Sequence, residues 1–121
     1  MSYDNPLTIT YQVQAATVST AATLIRGVGP KGLKGRLVDI GFVTTTATTD
    51  AATELRVGTV ADPDKYGILS VPVQSAAAVT NGASKYTTTS NLIPADTYFA
   101  LASDGASTAG AGTILVTIDW F

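Results

Sequence analysis

Asp62 and Asp64 are the closest pair of acids in this chain, and two carboxylates near each other are the minimum for acid–base hydrolysis of a glycosidic bond. Their setting argues against that chemistry. In Ala61-Asp62-Pro63-Asp64-Lys65, Pro63 presets the backbone of a turn and the aspartates cap local amides, so both acids are expected in water, where nothing raises a pKa for general-acid work. A calcium site is disfavoured for a similar reason: the ion takes six to eight oxygens, and no Asp/Asn ladder ending in Glu follows. The run Gly27-Val28-Gly29-Pro30-Lys31-Gly32-Leu33-Lys34-Gly35 looks superficially like a phosphate loop, but it lacks Gly-Lys-Ser/Thr, Pro30 removes an amide, and no helix follows to supply a dipole. Serine and threonine are plentiful, yet with no histidine, no cysteine and no Ser-x-x-Lys spacing none has a base to activate it. The same absences remove disulfides, thiolate metal sites and the usual proton shuttle. The expectation is a protein that is not an enzyme and uses neither metal nor cofactor.

Binding is the better prospect. Arg26, Lys31, Lys34 and Arg36 are four of the seven cations, gathered in a stretch without an acid. They make either a solvated basic loop or a docking loop for an acidic patch, with glycines letting the loop conform and Arg36 able to grip a carboxylate with two parallel hydrogen bonds. At a net charge of −2 the chain is a poor polyanion binder, so nucleic acid is not expected as a partner. Only 13% of residues are charged, about half the usual share, and Thr, Ala, Ser and Gly take their place. Such a surface loses little when dehydrated against another protein. Trp120 continues the parity of Ile114, Val116 and Ile118 and is expected in the core. Phe121 has the opposite parity and is a candidate plug for a neighbouring subunit, and residues 1–6, including Tyr3, are either frayed or an arm laid across a partner.

These residues must be positioned by strands, because period-2 alternation dominates the chain. Leu7, Ile9, Tyr11 and Val13 share one face of a first strand and Thr8, Thr10 and Gln12 the other. Further strands are expected at 23–28, at 36–46 (central, with both faces apolar because Val38, Ile40 and Phe42 share one parity and Leu37 and Val43 the other), and at 54–60 paired as a hairpin with 66–74. Pro72 puts the last of these at a sheet edge or on a bulge. Residues 74–84 allow one helical turn and then a turn at Asn81-Gly82; a short strand follows at 85–90, another strand at 97–103 and a long central one at 113–121. No signal peptide and no apolar run of about 18 residues is visible, so no membrane association is expected. A length of 121 residues suits one domain, 7–121, after the arm. Eight short strands separated by turns predict an all-β, single-domain antiparallel sandwich. The lone Trp lies beside the C-terminal end and no Cys-Trp-Cys spacing exists, so an eight-stranded jelly roll is preferred to an immunoglobulin domain.

Three stretches carry a resemblance to a known family: Gly35-Arg36-Leu37-Val38-Asp39-Ile40-Gly41; Val57-Gly58-Thr59 before Asp62-Pro63-Asp64-Lys65-Tyr66-Gly67; and Gly110-Ala111-Gly112-Thr113-Ile114-Leu115-Val116-Thr117-Ile118. Together they resemble small jelly-roll head proteins of tailed bacteriophages, the capsid cement or decoration proteins. The resemblance implies a homodimer or homotrimer that is made in the host cytoplasm and binds the major capsid protein on the outside of an icosahedral head, stabilising capsomer contacts. It brings no catalytic residue. The alternative is a carbohydrate-recognition module of jelly-roll type on a head fibre or receptor-binding structure, with tyrosines such as Tyr3, Tyr66 and Tyr86 to stack on sugar rings.

Overall fold

The computed structural model describes residues 7–81 and 92–121. Residues 1–6 and 82–91, and with them the expected arm, Tyr3, Tyr86 and the strand expected at 85–90, lie outside the described residues. The described residues form eight strands: β1 (Leu7–Thr17), β2 (Ala22–Gly27), β3 (Gly35–Thr46), β4 (Thr53–Gly58), β5 (Gly67–Val71), β6 (Val79–Asn81), β7 (Phe99–Ser103) and β8 (Ala111–Trp120). They make two four-stranded antiparallel sheets, β1-β8-β3-β6 and β2-β7-β4-β5, called sheets 1 and 2 below. The chain is thus all-β among its described residues, a single-domain antiparallel sandwich, as the alternation predicts.

Alternation produces the core directly. In β8, Ile114, Val116, Ile118 and Trp120 are buried and the residues between them are partly exposed. They meet Leu55 and Val57 of β4, Leu69 and Val71 of β5, and Phe99 and Leu101 of β7, all buried in one cluster. β3 departs from the expected pattern. Its register against β8 slips between Leu37 and Asp39, so Val38 is an extra residue in a bulge. Leu37, Ile40 and Phe42 therefore all face inward although their spacing breaks period 2, and Val38 is turned out and exposed, where an apolar residue sharing the face of Ile40 was expected. The central position of β3 holds, but its two faces are not alike.

Other boundaries moved for local reasons. β5 is an edge strand that ends at Val71, immediately before Pro72, as expected of a residue with no amide to donate. The segment from Gln74 makes a turn with Ala77 at positive φ, not a helical turn. Thr44 then anchors it through backbone bonds to Ala77 (2.7 Å) and Ala78 (2.9 Å). That anchoring aligns Val79–Asn81 with Val43–Gly41 as β6, so Asn81, expected in a turn, ends a strand.

Candidate functional site

The basic segment leaves sheet 2 at the end of β2, crosses one end of the sandwich, and enters sheet 1 at β3. It is tied down at several points. Leu33 is buried and its amide donates to Pro30 O (3.2 Å), closing a turn. Gly32 has φ +80° and donates its N–H to Asp96 Oδ1 (2.9 Å). Lys34 exchanges both backbone bonds with Phe121 (2.9 Å each), and Gly35 exchanges both with Ile93 (2.9 and 2.8 Å).

The glycines here do a different job from the one expected of them. A Cβ on Gly29 would stand 2.4 Å from the Trp120 ring, and one on Gly35 2.5 Å from it, so these glycines let the backbone lie directly on the indole. The ring is buried, its Nε1–H donates to the Tyr11 hydroxyl (3.1 Å), and Phe99 packs beside it and against Tyr11. Burial pushes the Tyr11 phenol above its usual pKa, against the lowering effect of the indole hydrogen bond. Trp120 is thus the floor of the loop, and Gly29 and Gly35 are the points at which its backbone rests on the ring.

Sequence proximity does not make the four cations one patch. Arg26 lies opposite Ala100, between the inward positions Phe99 and Leu101, so it belongs to the outer face of sheet 2. Arg36 lies opposite Asp119, which belongs to the outer face of sheet 1. Only Lys31 and Lys34, both exposed, sit on the connecting loop. Arg36 is also engaged: its Nη2 is 3.5 Å from Asp119 Oδ2 and its guanidinium stands 5.5 Å from the centre of the Phe121 ring. Two acids distant in sequence, Asp96 and Asp119, therefore temper a stretch that has none of its own. Phe121 is partly exposed but held by Lys34 and covered by Arg36.

A feature not anticipated lies on the outer face of sheet 2. Arg56 binds Glu54 Oε1 through Nη2 (2.7 Å) and Nε (3.1 Å), and its Nη2 is 3.7 Å from Asp104 Oδ2. Asp104 Oδ1 accepts from the Thr53 hydroxyl (2.7 Å) and from the amides of Glu54 (3.0 Å) and Ala106 (3.1 Å). Partial burial pushes the Asp104 carboxyl up, but these donors and the Arg56 charge together outweigh it and hold the group below its usual pKa. Beside this network lies a depression of about 280 Å³ lined by Ala21, Ala22, Thr23, Arg56, Pro63, Ala102, Ser103 and Asp104. The only advance signal was the alternation that turns Arg56 outward; Asp104 is 48 residues away and joins it through the β4–β7 pairing.

Asp62 and Asp64 sit in the turn expected of them. Asp62 O accepts from Thr59 N (2.9 Å) and Lys65 N (3.2 Å), and its own amide donates to Thr59 Oγ1 (2.9 Å). Among the described residues no three acids, histidines or cysteines are grouped so that they could hold a metal ion. Tyr66, considered above as a sugar-stacking ring, is buried in the core, with its phenol pKa raised by that burial, and cannot offer a face to a ligand. Comparison with protein-family models, curated proteins and solved structures gave no match.

Proposed function

We propose that the protein is an eight-stranded jelly roll that acts as a capsid decoration protein, a non-catalytic homo-oligomer bound to the major capsid protein on the outside of a tailed-phage head. The strand pairing supports the first part. β1 pairs with β8, β2 with β7, β3 with β6 and β4 with β5, the nested order obtained by rolling up one long hairpin. Fold alone does not carry function, and the observation that carries the second part is the outer face of sheet 1. Its cross-strand rows are Thr8–Asp119–Arg36, Thr10–Thr117–Asp39 and Gln12–Leu115–Gly41–Asn81, in which seven of the ten residues are uncharged and five carry a hydroxyl or amide of low dehydration cost. The Lys31–Lys34 platform at one end supplies charge for steering and register. Two of the three stretches behind the family resemblance, Gly35–Gly41 and Gly110–Ile118, belong to the adjacent strands β3 and β8 that build this face.

The test is sedimentation of the purified protein with phage heads that lack it, beside a protein inventory of intact virions by mass spectrometry. Co-sedimentation that saturates, weakens with salt and is lost in the Lys31→Glu, Lys34→Glu variant is the expected result. Absence from virions together with failure to sediment with heads would overturn the reading.

A further inference from the structure

A sandwich has open edges, and this one treats them unequally. β5 ends at Val71 against Pro72, and β2 is six residues long, slips register between Thr23 and Ile25, and carries Arg26. Short length, proline, bulges and charge are the usual means of preventing strand addition. β1 has none of these over its first part. Leu7–Val13 pairs with β8 in unbroken register from Leu7↔Trp120 to Val13↔Ile114, and slips only between Val13 and Ala16. The seven residues Leu-Thr-Ile-Thr-Tyr-Gln-Val contain no charge, proline or glycine. They span about 23 Å. On the side away from β8, no backbone group of the described residues bonds to this run.

The side chains of this strand are also incompletely covered. Ile9, Tyr11 and Val13 point toward the core yet are only half-buried, and Leu7 on the same face is exposed. Their counterparts on β8, Ile114, Val116 and Ile118, are fully buried, so the apolar face thins out at β1 because nothing described lies beyond it.

We propose that the outer edge of Leu7–Val13 pairs with the same strand of a second copy, antiparallel across a two-fold axis perpendicular to the sheet. This deepens the homo-oligomer part of the function proposed above by naming its interface, and it selects a dimer. Two copies are the fitting occupant because the edge is self-complementary. A two-fold makes the pairing antiparallel and keeps faces aligned, so Leu7, Ile9, Tyr11 and Val13 of one copy line up with the same set of the other. With no charge on the strand, nothing repels. The product is a continuous eight-stranded sheet whose outer face joins the two threonine-bearing surfaces into one.

The experiment needs no capsid, so its failure is distinguishable from failure of head binding. Sedimentation equilibrium of the full chain is expected to show a monomer–dimer equilibrium. Hydrogen exchange across the same concentrations should show alternate amides within 7–13 slowing as dimer forms. Thr10 and Gln12 are exposed on the outer face, so Thr10→Lys with Gln12→Lys places like charges next to their copies and should weaken the dimer by about tenfold or more with unchanged circular dichroism. Thr10→Glu with Gln12→Glu should do the same, and mixing the two variants should restore a heterodimer. A wild-type monomer at every accessible concentration, a trimer, or a dimer without slowed exchange in 7–13 would each overturn the proposal. Should the variants fail to fold, the wild-type exchange pattern alone decides it.

Discussion

The outer faces of the two sheets are built from the same alternating strand grammar and end up as opposite kinds of surface. On sheet 1, Gly41 lies in the row between Leu115 and Asn81, and a Cβ there would meet only Leu115, at ordinary contact distance. On sheet 2, Gly58 occupies the comparable outward position in β4, but the turn after it folds back over the strand, and a Cβ would stand 2.3 Å from Asp62 O and 2.5 Å from Pro63 O. At Gly41 the described residues leave the first face uncovered; at Gly58 the second is covered by its own chain, and a charge network fastens it nearby. The difference teaches that an outward glycine is informative only once its neighbours are known.

Substitutions that treat the two faces alike should therefore give unlike results. The largest effect is expected from Gly58→Val, where the new side chain must displace the Asp62–Pro63 backbone. A loss of about 2–3 kcal/mol by chemical denaturation fits an overpacked site. A melting temperature within a degree of the wild type would show that the turn is not seated on β4.

Asp104→Ala comes next, since it leaves the Glu54 and Ala106 amides without this acceptor and the Thr53 hydroxyl with only the longer bond to Val18 O, at about 1–3 kcal/mol. Its pH dependence sharpens the point. The folded pKa of Asp104 lies below the ordinary 3.8, so its stabilisation is complete above 3.8 and is lost as pH falls from there through the folded value. Asp104→Asn should flatten that acid limb of the stability curve while leaving the shape between pH 5 and 8 unchanged. An acid limb identical in both proteins would remove Asp104 from the network.

On sheet 1 the charged pair is a weaker device. Arg36 is more than half exposed and 3.5 Å from Asp119, so Arg36→Ala should cost at most about 1 kcal/mol and less as salt rises. A larger, salt-independent loss would point instead to packing of its side chain on Phe121. The smallest effect is expected for Gly41→Ala, a gain of about 0.5 kcal/mol from reduced freedom of the unfolded chain in an uncrowded strand position. A loss there would mean that the open face of sheet 1 is more crowded than its cross-strand rows indicate.

Much of this molecule was written in local pattern. Period-2 alternation determined β1, β4, β7 and β8 to within a few residues, because in a half-buried strand burial repeats with the pleat. Pro72 determined an edge, and the Asp62–Lys65 turn followed from residues that set their own backbone angles. Tertiary structure decided what depends on partners distant in sequence. The bulge at Val38 is invisible to parity because it exists only in the register of β3 against β8. Val79–Asn81 became a strand because Thr44 holds the preceding turn in line. Gly29 and Gly35 read as flexible until Trp120 is placed beneath them, and the four neighbouring cations read as one patch until β2 and β3 are assigned to different sheets. Local sequence determines which way a side chain points from its own backbone, but which backbone lies across from it is settled by the packing of the whole chain.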